Sequence, residues 1–162
     1  MDDLARVAPA FVGMAHRIVW ATLATVDPRG RPWTRVVHPI WEFDGARLVG
    51  WVASFDTPLK RAHLAACPDV SLTYWDPGQD TATAQCRARL HTDDATRAAV
   101  WERFAGAPAP VGYDPAVLPQ WSGGPTSPAF SALRLDPWRL RVQPAGISSE
   151  DDVLRWVAGA GA

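Results

Sequence analysis

Little in this chain of 162 residues is charged in excess: sixteen Lys and Arg stand against seventeen Asp and Glu, a formal net charge of −1 at pH 7. That balance excludes a surface-wide field gathering nucleic acid or anionic membrane, so any anion site must be built locally. Cysteine is nearly absent. Cys67 and Cys86 are the only two. They lack CxxC spacing and a nearby histidine at ligand spacing, so neither a zinc site nor a disulfide framework is indicated, and both are expected as buried thiols. No apolar run approaches the roughly 20 residues of a membrane helix, and no basic region with an apolar stretch opens the chain. The expectation is a cytoplasmic protein with no membrane partner.

Tryptophan, by contrast, is plentiful. Its nine copies fall mostly in or beside strand-like segments, which favours aromatic packing on a sheet, an interface or a flat ligand. The length and a 48% hydrophobic content suit one core, so residues 1–162 are read as a single domain.

Leu4, Val7, Ala8, Phe11, Met14 and Ile18 recur at helical spacing and predict an amphipathic helix lidding one end of the fold. Strand character runs from Ile18 to Val26, reverses at "DPRGRP", and resumes through Phe43. After the Asp44-Gly45 turn, "RLVGWVAS" reads as the third strand of an antiparallel meander. The stretch "DTPLKRAHLAACPD" then interrupts the strands with one short helix: Thr57 as N-cap, Pro58 at the first position, Pro68 as stop. "DVSLTYWD" and "TAQCRARLH" supply two more strands, and Asp93 and Asp94 cap a helix carrying Val100, Trp101 and Phe104. The Pro- and Gly-rich run 106–128 is an irregular excursion holding too many aromatics for a linker. "FSALRLDP" and "WRLRVQP" give a sixth and a seventh strand, and Ser149 with three following acids starts a terminal helix on Val153, Trp156 and Val157. The fold class is mainly β with peripheral helices, a six- to seven-stranded antiparallel barrel rather than a parallel doubly wound sheet.

A helix N-terminus offers unpaired N–H groups, so Thr57, the first-turn amides and Lys60 suit a phosphate; the plainer alternative is a simple cap with solvated Lys60 and Arg61. In "WTRVVHPIW", alternation puts Trp33, Arg35 and Val37 on one face. An inward Arg35 needs an anion, whereas an outward one is ordinary surface.

"RVV" at Arg35, "VAS" ending at Ser54 and "KRAHLAACPDVSL" from Lys60 resemble, in order, motifs of the pyridoxamine 5′-phosphate oxidase-like family, the FMN-binding split barrels. The likeness covers roughly residues 18 to 91 well. It implies a homodimer with FMN at the subunit interface, the phosphate held by an Arg, a hydroxyl and a Lys. Carried over by position, Arg35 and Lys60 match the phosphate cations, Val36 and Val37 the ring-facing strand, Ala53 and Ser54 a strand end, and Gln85 a flavin-contacting glutamine. "WSGG" at Trp121 resembles a loop reaching the partner subunit's cofactor. Where true pyridoxamine 5′-phosphate oxidases carry an Arg-Leu-His segment, this chain has "PTSPAF", which argues against vitamin B6 oxidation. The function implied is an FMN-dependent oxidoreductase passing hydride to or from a small planar substrate. Its alternatives are an F420-dependent reductase, or a stress-response protein holding flavin or haem without turnover. No catalytic residue is assigned. Among the histidines His38 is the most interesting, and His16, His63 and His91 pair with nothing in sequence.

Overall fold

The computed structural model describes residues 2–146, 149 and 152–159. Helix α1 (Leu4–Ile18) opens at Asp3, whose carboxylate accepts the Ala5 N–H, and buries Val7, Ala8, Phe11 and Ala15. Strand β1 (Ala21–Val26) alternates buried and open residues and turns back into β2 (Pro32–Val37). That reversal is fixed by the Asp27 carboxylate, which accepts from the backbone N–H groups of Arg29 and Arg31 at 2.8 and 2.9 Å. There follow β3 (Pro39–Phe43), β4 (Leu48–Phe55), helix α2 (Pro58–Ala66), β5 (Asp69–Trp75), β6 (Thr81–His91) and helix α3 (Asp94–Gly106). Two 3-10 turns, Pro115–Val117 and Pro119–Trp121, punctuate the excursion before β7 (Phe130–Gln143) and β8 (Leu154–Val157).

All pairings are antiparallel, in the order β2-β1-β5-β6-β7-β4-β3, with β8 added beside β7. The two ends of that order, β2 and β3, are consecutive in the chain and separated only by His38. One residue cannot cross a flat seven-stranded sheet whose neighbouring strands lie about 4.8 Å apart. The sheet therefore curls until its ends meet, forming a barrel split along the β2–β3 seam.

Inside the barrel, Phe11 packs edge-on to Trp41 and Tyr74 at 5.0 and 6.1 Å between ring centroids. Leu23, Leu72, Leu133, Leu135 and Leu140 fill the remaining space. Outside, α3 lays Val100 and Phe104 on Ile40, Val49 and Trp51 of β3 and β4.

Four expectations change. The expected meander is broken at His38-Pro39, because a proline cannot donate to a continuing ladder. The sixth and seventh strands are one. Strand β7 passes Pro137 because its register with β6 shifts between Gln85 and Cys86, which leaves Trp138 out of the pairing and absorbs the proline as a bulge. The terminal helix is instead β8: Trp156 pairs with Leu140 across from β7, so a strand edge in need of partners overrides the acidic capping signal. Glu150 and Asp151 of that signal lie outside the described residues. Finally, Cys86 is buried but Cys67 is only half-buried, at the end of α2.

Candidate functional site

Because β2 and β4 lie on opposite sides of the seam, the space between them is a cavity rather than a ladder. Its volume is about 670 Å³, within the size range of small-molecule and cofactor sites. Arg35, Val36, Val37 and His38 form one wall, and Val52, Ala53, Ser54 and Phe55 the other. The excursion closes it with Pro110, Tyr113, Val117, Leu118 and Trp121.

Lys60, the chain's single lysine, enters from α2 and is only 8% exposed. Thr57 makes this placement possible: its hydroxyl accepts the Lys60 N–H at 3.3 Å and starts the helix. The Lys60 ammonium donates to the Ser54 hydroxyl and to the Phe55 carbonyl, leaving one of its three donors for a ligand. Burial, then the neighbouring Arg35 guanidinium, push its pKa down to about 8 against the pull of Asp56. Burial also lowers Arg35. Asp56 does not neutralise the pair, because Arg61 holds it in a two-point salt bridge at the surface. Among the described residues neither Lys60 nor Arg35 has an ion-pair partner. Two cations side by side in an apolar wall repel each other and are poorly solvated, an arrangement that an anion between them relieves.

About 10 Å along the strand from Arg35, at about 3.3 Å per residue, the character changes to aromatic. The His38 ring lies against Trp20 at 5.2 Å and Tyr113 at 5.2 Å. Burial lowers the His38 pKa, and its Nε2 has no partner. Trp20 is presented by a tight turn: its N–H donates to the Ile18 carbonyl at 2.9 Å while Val19 takes φ 72°. A β-branched residue rarely adopts that conformation, so the backbone is strained where it enters the cavity. The cavity thus has a cationic end, an apolar middle and an aromatic end, which fits a flat ligand carrying one anionic group.

Of the residues singled out by sequence, Arg35, Val36, Val37, Ala53, Ser54, Lys60 and Trp121 line this one cavity. Thr57 does not line it and acts as the N-cap of α2. Gln85 sits half-buried on the outward face of β6, opposite Ser71 and Arg139 and away from its own chain's cavity. Trp121 faces the cavity of its own chain, stacked on Phe55 at 4.7 Å and donating Nε1–H to the Ala129 carbonyl at 3.2 Å. Sequence reasoning passed over Trp20, Phe55, Tyr113 and Leu118. Trp20 and Phe55 carry the only usable signal, large apolar residues at strand ends; Tyr113 and Leu118 arrive through irregular backbone without periodicity.

These features define a split barrel with an anion-and-aromatic cavity in its seam. The chain belongs to the pyridoxamine 5′-phosphate oxidase family, whose model matches residues 9–143. No curated protein is significantly similar to it. Among solved structures it resembles a Clostridium acetobutylicum protein related to general stress protein 26, with TM-score 0.66, 10% identity, and coverage of 91% of this chain and 94% of that one. It also resembles a pyridoxamine 5′-phosphate oxidase-related, FMN-binding protein of Nostoc punctiforme, with TM-score 0.65, 16% identity, and coverage of 97% and 90%. A structure named F420 reductase matches with TM-score 0.53, 16% identity, and coverage of 79% and 93%. Identities this low establish the shared fold alone.

Proposed function

We propose that the chain binds FMN in the seam cavity, as a homodimer, and acts as a flavin-dependent oxidoreductase on a small planar substrate. The observation carrying this is the convergence of Arg35 and Lys60, two half-buried to buried cations without an ion-pair partner among the described residues, at one end of an otherwise apolar cavity. The phosphate fits between them, with the Ser54 hydroxyl alongside. The aromatic end suits a flat ring system. The bound flavin supplies hydride exchange, and the chain supplies position and exclusion of water. No side chain here is assigned an acid or base step.

FMN is favoured over F420 because, among the described residues, Arg35 and Lys60 are the only Lys or Arg in the lining. Arg61, the third candidate for a longer anionic tail, is committed to Asp56. Two features support the dimer. The cavity mouth is ringed by exposed apolar groups, Trp20 at 60% and Val36 at 68% among them, a surface that a second copy would cover. Gln85 faces away from its own cavity, so its expected flavin contact requires the cavity of another copy.

Titration of the chain with FMN should give saturable binding and flavin absorbance in the isolated protein. Arg35→Ala and Lys60→Ala should each weaken it by about 1.5 to 3 kcal/mol, the value of one hydrogen bond to a charged group. Unchanged calorimetric affinity in both variants would remove the phosphate site. Reduction of the loaded protein by NAD(P)H and reoxidation by quinones or nitroarenes separates an oxidoreductase from a carrier, in which the flavin stays oxidised.

A further inference from the structure

Helix α2 buries two residues, Lys60 and His63, one turn apart on the same face. Lys60 reaches the cavity directly. His63 is fully buried and does not line the cavity. Its Nδ1 lies 3.0 Å from the Thr25 hydroxyl, and that hydroxyl accepts a hydrogen from Arg35 Nη2, also at 3.0 Å. Thr25 is buried on β1 and Arg35 is its diagonal neighbour on β2, since Leu23 pairs with Arg35 and Thr25 with Trp33. The Trp33 indole lies edge-on to the imidazole at 5.6 Å and shields it.

We propose that Thr25 and His63 are positioning residues that aim the Arg35 guanidinium at the anion, so that one face of α2 delivers both cations of the site. The chemistry of the hydroxyl carries the argument. A threonine hydroxyl has one donor hydrogen, which rotates to suit its partners, and two acceptor lone pairs. With Arg35 donating to its oxygen, the hydroxyl meets His63 Nδ1 either by giving its own hydrogen or by accepting the ring's through the second lone pair, and in both cases the imidazole fixes the oxygen that Arg35 contacts and leaves Nε2 as the other ring nitrogen. That Nε2 is buried without a partner. A leucine would fill the space without an unpaired ring nitrogen but would take from the buried Thr25 hydroxyl its Nδ1 partner, so packing gives no reason for a histidine here and the Nδ1 contact does. A guanidinium fixed on one edge directs its other donors one way, and little ordering is left for the ligand to impose.

This rests on the reading of the cavity as a phosphate-binding site. The test compares FMN with riboflavin, which carries the same ring without the phosphate. Thr25→Val should weaken FMN binding about tenfold, as expected for a lost contact to a charged group, with riboflavin affinity unchanged. His63→Leu should act in the same direction. Thr25→Ser and His63→Asn, which keep a polar atom in place, should retain most of the affinity. In an Arg35→Ala background Thr25→Val should have no further effect. Equal losses for FMN and riboflavin, or additive losses in the double variant, would overturn the positioning role. If wild-type chain binds neither flavin, the flavin reading fails by itself, and the same double-variant comparison with inorganic phosphate decides the positioning role. No phosphate binding either overturns both.

Discussion

Lys60 is placed where its charge is unwelcome until a ligand arrives. Its folded pKa of about 8 lies below the ordinary lysine value of 10.5. Between those two values the unfolded chain binds more protons than the folded one, so the contribution of this residue to stability rises with pH across that window. Subtracting the pH profile of Lys60→Met from that of wild type should isolate the trend, and the variant should unfold at a higher temperature than ligand-free wild type near pH 7 while losing FMN. A lower melting point for the variant would contradict the desolvation account. FMN affinity of wild type should in turn decline as pH rises past about 8 and the ammonium neutralises. Because Lys60 is the single lysine, an amine-reactive label on it should be suppressed by saturating FMN, which peptide mass mapping reads directly.

At the scale of elements, the excursion depends on α3 through Arg97, whose guanidinium is buried and donates to the carbonyls of Ser127 and Phe130 at 3.1 and 3.2 Å. Arg97→Met should remove both contacts, although the Ser127 carbonyl keeps the Phe130 N–H at 3.0 Å, lower stability by roughly 1 to 3 kcal/mol, and make 106–128 susceptible to limited proteolysis. FMN affinity should fall with it, since Trp121 and Leu118 ride on that segment. This dependence was invisible in the sequence, where 106–128 reads as an irregular excursion too aromatic for a linker and nothing connects it to Arg97 of α3. Capping and periodicity were far more legible: Thr57, Pro58 and Pro68 mark α2, and the α1 spacing gives both its limits, because these signals are local. The helix expected after Ser149 was wrong because the open edge of β7, a distant element, selected strand for Leu154–Val157. For the same reason the seven candidate residues that line the cavity sit on regular elements or carry a family motif, while Tyr113 does neither, and His63 found no partner in the sequence because Thr25 is 38 residues away.

For the whole molecule, the proposed dimer would make the exposed apolar residues around the cavity part of the site. Leu59→Asp, at an exposed apolar position on α2 beside Lys60 and outside the cavity lining, should shift the proposed dimer toward monomer in sedimentation velocity and weaken FMN without altering the circular dichroism of the fold. A monomer retaining full affinity would separate assembly from binding. The order of strands was beyond sequence reasoning, because nothing in "RVVHPIW" announces that β2 and β3 part company at His38 and end up on opposite borders of one sheet. That parting has a mechanical meaning. The two margins, β2 and β3, are tethered by a single residue yet separated along the sheet by every other strand of the order, so the gap between the β2 wall and the β4 wall beside β3 is governed by how tightly the whole sheet is wound. A slight relaxation shared among seven strands would widen that gap without breaking any one ladder.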